Sequence, residues 1–324
     1  MSIGLVLGKF MPPHNGHVHL VSFAQHYVDT LYIIVEKIAN ESIPSELRCE
    51  WMKKMFPACR VLHLQTIQPQ DPSETPDFWT IWKNCLDSVL PEKPDYLFAS
   101  EAYGLPLATI VGAQFIPVDP QRVACPISAT KIRENATEHW EYLPAVVRPY
   151  FLKKVCIFGP ESSGKSTLTK NLANHYRTIW VPEYARSYLE LHKRDPTEQD
   201  MLIIAKGQSC SERSLSEQAN RVIFADTDPL STRIWSEWLF GQCSSEILPL
   251  IDDHEYDLYL LLSPDTPWHQ DDIRYFPTER WQFHKDCRQQ LEAYGRQYVS
   301  ISGPWKERWQ QAINAIDAML SANK

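Results

Sequence analysis

The chain lacks any block of basic residues and any excess of them: 32 Lys and Arg stand against 40 Asp and Glu, a formal net charge of −8. A surface that holds a polyanion needs the opposite balance, so nucleic acid is not an expected partner. No apolar stretch approaches the length of a membrane span. The first residues also lack the basic start and apolar core of a secretory signal, so the expectation is a cytoplasmic chain without membrane insertion. The 8 cysteines (49, 59, 85, 125, 156, 210, 243 and 287) form no C-x-x-C pair, and are read as reduced residues, not as disulfides or zinc ligands. Internal repeats and low-complexity segments are missing as well. With 324 residues the chain exceeds the usual size of one domain, and two are expected.

Against these absences stand two different phosphate-binding loops, each directly after an apolar strand. The second is the simpler to read. Gly159-Pro160-Glu161-Ser162-Ser163-Gly164-Lys165-Ser166, followed by Thr167, has the spacing G-x-x-x-x-G-K-S. Its glycines let backbone N–H groups turn onto phosphates, Lys165 reaches the terminal oxygens, and the Ser166 hydroxyl is placed for Mg²⁺. The strand Val155-Cys156-Ile157-Phe158 precedes it. A proline-free helix over 165–175, with Leu168, Leu172 and His175 on one side, follows and brings its positive end to the anion.

The first loop runs Gly8-Lys9-Phe10-Met11-Pro12-Pro13-His14-Asn15-Gly16-His17. An apolar run over 3–7 precedes it. Leu20, Val21, Ala24 and Val28 follow at helical spacing, and 31–35 is a β-rich run, so strand, loop, helix and strand make one βαβ unit. His14 and His17 fall where the loop becomes the helix, and imidazoles there can donate to a phosphate. A pair at i, i+3 can also chelate a metal, but no third ligand is close in sequence.

The first half then predicts a helix over 45–56, with Arg48 and Trp51 as candidates for an acceptor site. A strand at 61–64, a helix over 77–90 carrying Trp79 and Trp82, and strands at 96–98 and 115–118 follow. Alternation of this kind gives a parallel sheet with both faces covered and ligands at the carboxyl ends of its strands, where Ser100, Glu101 and Tyr103 fall. Tyr103 could stack on a flat ring, with Trp79 and Trp82 as rivals that the helical spacing also permits in the core. A connector over 140–151, broken by Pro144 and Pro149, puts the boundary near Leu152 and gives domains 1–152 and 153–324.

In the second half, a strand over 178–181 leads to Glu183, Tyr184 and Arg186, where a phosphate acceptor or a structural ion pair is possible. The strand 222–225 ends at Asp226, the expected second support for Mg²⁺. Asp228 could receive a substrate hydroxyl or bind a ribose, and could equally cap the helix that begins at Pro229. After a strand over 258–262, the polar, proline-bearing segment 263–279 reads as a lid with Arg274 or Arg280 as its cation. A strand at 298–301 and a helix over 304–322 complete the reading.

Gly8 to His17 resembles the signature of the nucleotidyltransferase superfamily, and Ile127-Ser128-Ala129-Thr130-Lys131-Ile132-Arg133 resembles its distal I-S-x-T-x-x-R motif. In that motif Ser128 and Thr130 can cap a helix, while Lys131 and Arg133 bring cations to a triphosphate. Both halves in this order resemble the bifunctional nicotinamide mononucleotide (NMN) adenylyltransferase/ribosylnicotinamide kinase family, NadR. The segments 100–104, 118–122, 183–186, 226–229 and 268–274 carry the likeness further. It implies an α/β fold of two Rossmann-like three-layer domains, a nucleotidyltransferase-like parallel sheet followed by a P-loop kinase domain. It also implies ATP, ribosylnicotinamide and NMN as substrates, NAD as product and Mg²⁺ as cofactor. His14, His17, Lys131, Arg133, Lys165, Asp228 and Arg274 are then the candidate catalytic residues, and Trp268 a candidate for a cation–π contact with the nicotinamide ring.

Two departures stand out. Family members from enteric bacteria begin with a DNA-binding helix-turn-helix, whereas Met1 is followed almost at once by the first strand, so a transcriptional role is not expected. Asp272 also replaces the glycine of the lid motif. Two alternatives accompany the expectation: a kinase with an inactive or retargeted first domain, and a slow NAD- and ATP-sensing regulator. A homo-oligomer is compatible with all three.

Overall fold

A computed structural model describes residues 1–253, 255–270 and 275–321. The chain divides into two compact units, Met1–Val147 and Arg148–Lys324. The first contains β1 (Ile3–Gly8), α1 (Asn15–Tyr27), β2 (Thr30–Glu36), α2 (Ser45–Met55), β3 (Arg60–Leu64), α3 (Phe78–Val89), β4 (Tyr96–Ala99), α4 (Gly104–Val111), β5 (Gln114–Pro117) and α5 (Ala129–Glu134). All pairings are parallel, in the order β3-β2-β1-β4-β5.

Strand β1 shows how sequence becomes layer. Leu5 and Leu7 join one core with Phe78, Trp82 and Leu107 of α3 and α4, while Val6 joins another with Val21 and Met52 of α1 and α2. The period of two thus feeds both faces, and for that reason β1 and β2 read as continuous apolar runs. The chain turns to opposite sides of β1 to form β2 and β4. The crevice above the carboxyl end of β1 is therefore a topological switch point, where such sheets bind ligands.

The second unit contains α6 (Arg148–Phe151), β6 (Lys153–Phe158), α7 (Lys165–His175), β7 (Trp180–Val181), α8 (Tyr184–His192), α9 (Glu198–Ser216), β8 (Val222–Asp226), α10 (Pro229–Phe240), α11 (Leu248–Asp252), β9 (Leu258–Leu262), α12 (Arg280–Ala293), β10 (Tyr298–Ile301) and α13 (Trp305–Ser321). Its parallel sheet runs β10-β9-β6-β8-β7. Val155, Ile157, Phe224 and Leu260 pack against Leu168 and Leu172 of α7 and Ile316 of α13.

The strand expected over 178–181 is shortened to Trp180–Val181. Thr178 ties a turn instead: its hydroxyl donates to the Val222 carbonyl at 2.7 Å and accepts from the Asn220 N–H at 2.9 Å. Among the described residues, no helix is long and apolar enough to cross a membrane.

Candidate active sites

The first loop closes onto α1 through an unusual cap. His14 is the N-cap residue, and its Nδ1 accepts from the Gly16 N–H at 3.1 Å. In return, His17 Nδ1 accepts from the His14 N–H at 3.2 Å. This is a capping box built from two imidazoles where a serine and a glutamate are usual. Its consequence is chemical. With both Nδ1 atoms accepting, both Nε2 atoms carry the proton, so each ring presents an N–H donor.

The two rings stack with centroids 3.8 Å apart. Burial, and then the charge of Arg122, bring the pKa of His14 down to about 4. Burial, His14 and Arg122 hold that of His17 well below the usual imidazole range. Both are neutral donors at neutral pH. Gly16 is required by this arrangement, because a Cβ there would lie 2.9 Å from His14 Cε1.

A cavity of about 660 Å³ opens above this loop, within the usual range for small-molecule sites. Gly8, Lys9, Phe10, His14 and His17 line it, together with Ser128, Thr130, Arg133, Glu101, Tyr103 and Trp79. Ser128 caps α5, as the sequence allows, through the Lys131 N–H at 3.4 Å. Thr130 does not cap; its hydroxyl accepts from Arg133 Nη2 at 3.1 Å, and Arg133 Nη1 donates to the Met11 carbonyl. Tyr103 is anchored by its hydroxyl on the Leu7 carbonyl at 3.1 Å. Glu101 pairs with Arg122 Nη2 at 3.0 Å.

Three expectations for this site are corrected. Lys131 is exposed on α5 and is not among the residues lining the cavity. Trp51 is buried in the body of the unit, away from the cavity lining. Arg48 is fully buried and its guanidinium is occupied: Nε donates to the Ile43 carbonyl, Nη1 to those of Lys9 and Glu36, and Nη2 pairs with Glu41. It supports the loop from below and does not reach an acceptor. Arg122, in the segment 118–122 that carries the family likeness, also lines the cavity, as does Glu36, which was not singled out because a lone acid ending a strand has no legible spacing.

In the second unit the loop after β6 has Gly159 at φ 130°, where a Cβ would meet the Leu262 carbonyl oxygen at 2.7 Å. Gly164, at φ 89°, is the N-cap of α7. Lys165 Nζ donates to the Pro160 carbonyl at 3.0 Å, folded back along its own loop. Arg308, buried inside α13, donates to the carbonyls of Ser163 (3.0 Å), Ser263 (2.9 Å) and Gly303 (2.8 Å) and pairs with Asp265. Arg280 donates to the carbonyls of Glu161 (3.2 Å), Ser162 (3.1 Å) and Thr266 (2.9 Å). With its donors spent there, Arg280 is a loop anchor and not a lid cation. Arg274, together with positions 271–273 and 322, lies outside the described residues.

A cleft beside this loop is lined by Glu161, Ser162, Ser163, Gly164, Lys165, Ser166 and Thr167, by Glu183 and Arg186, and by an apolar wall of Met201, Ile204, Trp235 and Leu239. Asp226, at the tip of β8, is 2 % exposed, and its Oδ1 has no hydrogen-bond partner among the described residues. Burial and the Glu183 charge raise its pKa to about 7 against the pull of Lys165, Ser166 and Arg186. Gln208, which no motif flagged, braces this corner by donating to the Thr227 carbonyl at 3.2 Å and accepting from the Tyr184 N–H at 2.8 Å.

Three further expectations are corrected here. Asp228 is 1 % exposed and is the N-cap of α10: Oδ1 accepts from the Ser231 N–H at 3.0 Å and Oδ2 from the Tyr259 hydroxyl at 2.8 Å. Both oxygens are spent on structure, and the residue is not part of the cleft lining. The Tyr184 ring packs on α9, so close that a Cβ on Gly207 would lie 2.2 Å from it. Trp268 is covered by the Arg280 guanidinium, 5.8 Å from the ring centroid, and lies outside the cleft lining.

Comparison with known proteins agrees with this division. Residues 5–135 match the cytidylyltransferase-like family model and 154–308 an AAA domain model. The chain is 30% identical to the trifunctional NAD biosynthesis/regulator protein NadR of Escherichia coli (strain K12), over all of this chain and 84% of that protein. Identity to the NadR protein of Salmonella typhimurium is 33%, over 84% of this chain and 72% of that one. Among solved structures, a NadR protein in complex with NR superposes with a TM-score of 0.82 at 25% identity, covering 99% of this chain and 96% of the other. Two parallel sheets, each with its own phosphate loop and its own cavity, and full-length likeness to these relatives lead to one conclusion: the chain belongs to the NadR family.

Proposed function

We propose that the second unit phosphorylates the primary hydroxyl of ribosylnicotinamide with ATP, giving NMN and ADP, and that the first unit transfers the adenylyl group of a second ATP to NMN, giving NAD and pyrophosphate. The observation that carries the reading is the pairing of two chemically different phosphate loops with two separate cavities. Both steps run in the cytoplasm on this reading.

In the first unit, ATP takes the part of the cavity lined by the distal motif, Ser128, Thr130 and Arg133. The acceptor takes the part walled by Phe78, Trp79 and Trp82. The acceptor phosphate attacks the α-phosphorus and pyrophosphate leaves. The Nε2–H donors of His14 and His17, with Arg122 and Arg133, stabilise the charge that develops on the phosphate oxygens. Because both rings are neutral, they donate hydrogen bonds and do not give up protons.

In the second unit, Lys165 holds the transferred phosphoryl group. Glu183, on the acceptor side of the cleft, receives the proton of the attacking hydroxyl, and Arg186 holds the acceptor. The unpartnered Oδ1 of buried Asp226, with the Ser166 hydroxyl beside it, fits a divalent cation. Asp226 and Ser166 would hold Mg²⁺, which supplies charge neutralisation on the phosphates when bound with ATP.

The test is a chromatographic time course with ATP, Mg²⁺ and ribosylnicotinamide, run beside Lys165→Ala. The parent is expected to make NAD, and the variant to make it only from added NMN. Accumulation of NMN without NAD would remove the first unit's assignment; no NMN and no NAD from ribosylnicotinamide would remove the second unit's, and no NAD from added NMN as well would remove both.

A further inference from the structure

The acceptor side of the first cavity contains a carboxylate that the chemistry of adenylyl transfer does not use. Glu36, the last residue of β2, is 6 % exposed and lines the cavity together with Gln70, Phe78 and Trp79. Its position is firmly set. The Glu36 carbonyl accepts from Arg48 Nη1 at 3.0 Å, and its Oε2 accepts from Gln70 Nε2 at 3.2 Å. Reaction at a phosphate calls for cations and N–H donors, which the loop supplies. A buried carboxyl group among aromatic walls serves a different end, namely recognition of the part of the acceptor remote from its phosphate.

We propose that Glu36, held by Gln70, selects the acceptor by its ring substituent, accepting a carboxamide and rejecting a carboxylate. The inference rests on the reading of the first unit as an adenylyltransferase acting on NMN. The ring of that acceptor is a pyridinium, which a nearby anion and the face of Trp79 both favour. Its carboxamide carries an NH₂ that donates to a carboxylate oxygen. The same mononucleotide with a ring carboxylate in place of the carboxamide has no such donor and adds a second anion beside Glu36. Placing like charges together in a partly desolvated cavity is an established way to reject the wrong partner. Burial raises the pKa of Glu36 above the usual carboxylate value, outweighing the Gln70 hydrogen bond and the charges of Lys9 and Arg48, which act the other way.

The test measures kcat/KM for NMN and for its ring-carboxylate counterpart in the full chain, for the parent, Glu36→Gln and Gln70→Lys. Glu36→Gln keeps shape and removes the charge. Gln70→Lys, at an exposed position, leaves Glu36 in place and pairs it with a cation. Each variant is expected to shift the ratio of the two values toward the carboxylate acceptor by roughly ten- to a hundredfold. A ratio unchanged in both variants, with NMN still converted, overturns the role of Glu36. Ribosylnicotinamide phosphorylation by the same preparations reports folding of the other unit, and should not move. A parent unable to convert NMN would overturn the underlying reading, and this inference with it.

Discussion

His14 carries two duties that one substitution can separate. Its Nδ1 caps α1, and its Nε2–H faces the cavity. Asparagine places an oxygen where Nδ1 stands and is itself a strong N-cap, so His14→Asn keeps the cap and removes the donor. Two magnitudes follow. Loss of one preorganised donor to a phosphoryl-type transition state costs about 10²–10³ in kcat, so NAD formation from NMN should fall by that factor while phosphorylation of ribosylnicotinamide continues. The second concerns acid stability. The fall of the His14 pKa from 6.5 to about 4 corresponds to about 3 kcal/mol.

Between those two values the unfolded chain binds a proton that the folded chain refuses. Stability therefore rises with pH across this window and drains away as pH falls from 6.5 toward 4. His14→Asn should be no less stable than the parent at pH 7 by more than about 1 kcal/mol, and should lose less on acidification. Hydrogen exchange of the α1 amides at pH 7 and pH 5 gives the stabilities, and pyrophosphate release gives the rate. A variant that keeps full adenylyl transfer, or that shows the parent's full acid loss, would refute the assignment of the neutral Nε2–H donor.

Other expectations follow from the second unit. Burial and the Glu183 charge raise the Asp226 pKa toward neutrality, so Mg²⁺ binding near pH 7 should release protons from it. Calorimetry in buffers of different ionisation enthalpy measures the release, and an enthalpy independent of buffer would count against Asp226 as a ligand. Asp228→Ala removes the cap of α10 and the acceptor of the buried Tyr259 hydroxyl. It should lower stability by about 1–2 kcal/mol yet leave phosphorylation largely intact; a loss of 10² or more in kcat, the scale for a general base, would restore a catalytic role. Arg308→Met strips three loop carbonyls and Asp265 of their partner, which should cost about 3 kcal/mol or more. It should also raise KM for ATP and speed amide exchange around Ser163; unchanged exchange there would mean that the loop holds itself.

The sheets were legible because their strands are apolar on both faces and the phosphate loops follow them immediately. Roles that depend on a side chain's direction were not. Asp228 and Asp226 lie two residues apart at the end of one strand, and only the structure separates the capping carboxylate from the one whose Oδ1 has no partner among the described residues. Arg48 and Trp51 belong to a helix whose apolar face could be read, but which side chain turns inward depends on where the neighbouring loop carbonyls fall. Glu36 was hidden because a single acid ending a strand has no spacing to recognise.

Arg308 and Arg48 point to a rule that motif reading misses. A phosphate loop must aim its N–H groups at the ligand, so its carbonyls turn away from it, into the protein, where each needs a donor. In the first unit Arg48 serves Lys9 and Arg133 serves Met11. In the second, Lys165 serves Pro160, Arg280 serves Glu161 and Ser162, and Arg308 serves Ser163. Apart from Lys165 and Arg133, which the two motifs contain, these donors come from helices distant in sequence, and no local pattern announces them. Burial lowers the pKa of Arg48, Arg280 and Arg308, yet a guanidinium, which ordinarily titrates far above neutrality, stays charged through such a shift. Lysine is the poorer choice at these positions: its charge is lost on burial far more readily, and one ammonium cannot span carbonyls that a planar fork reaches together.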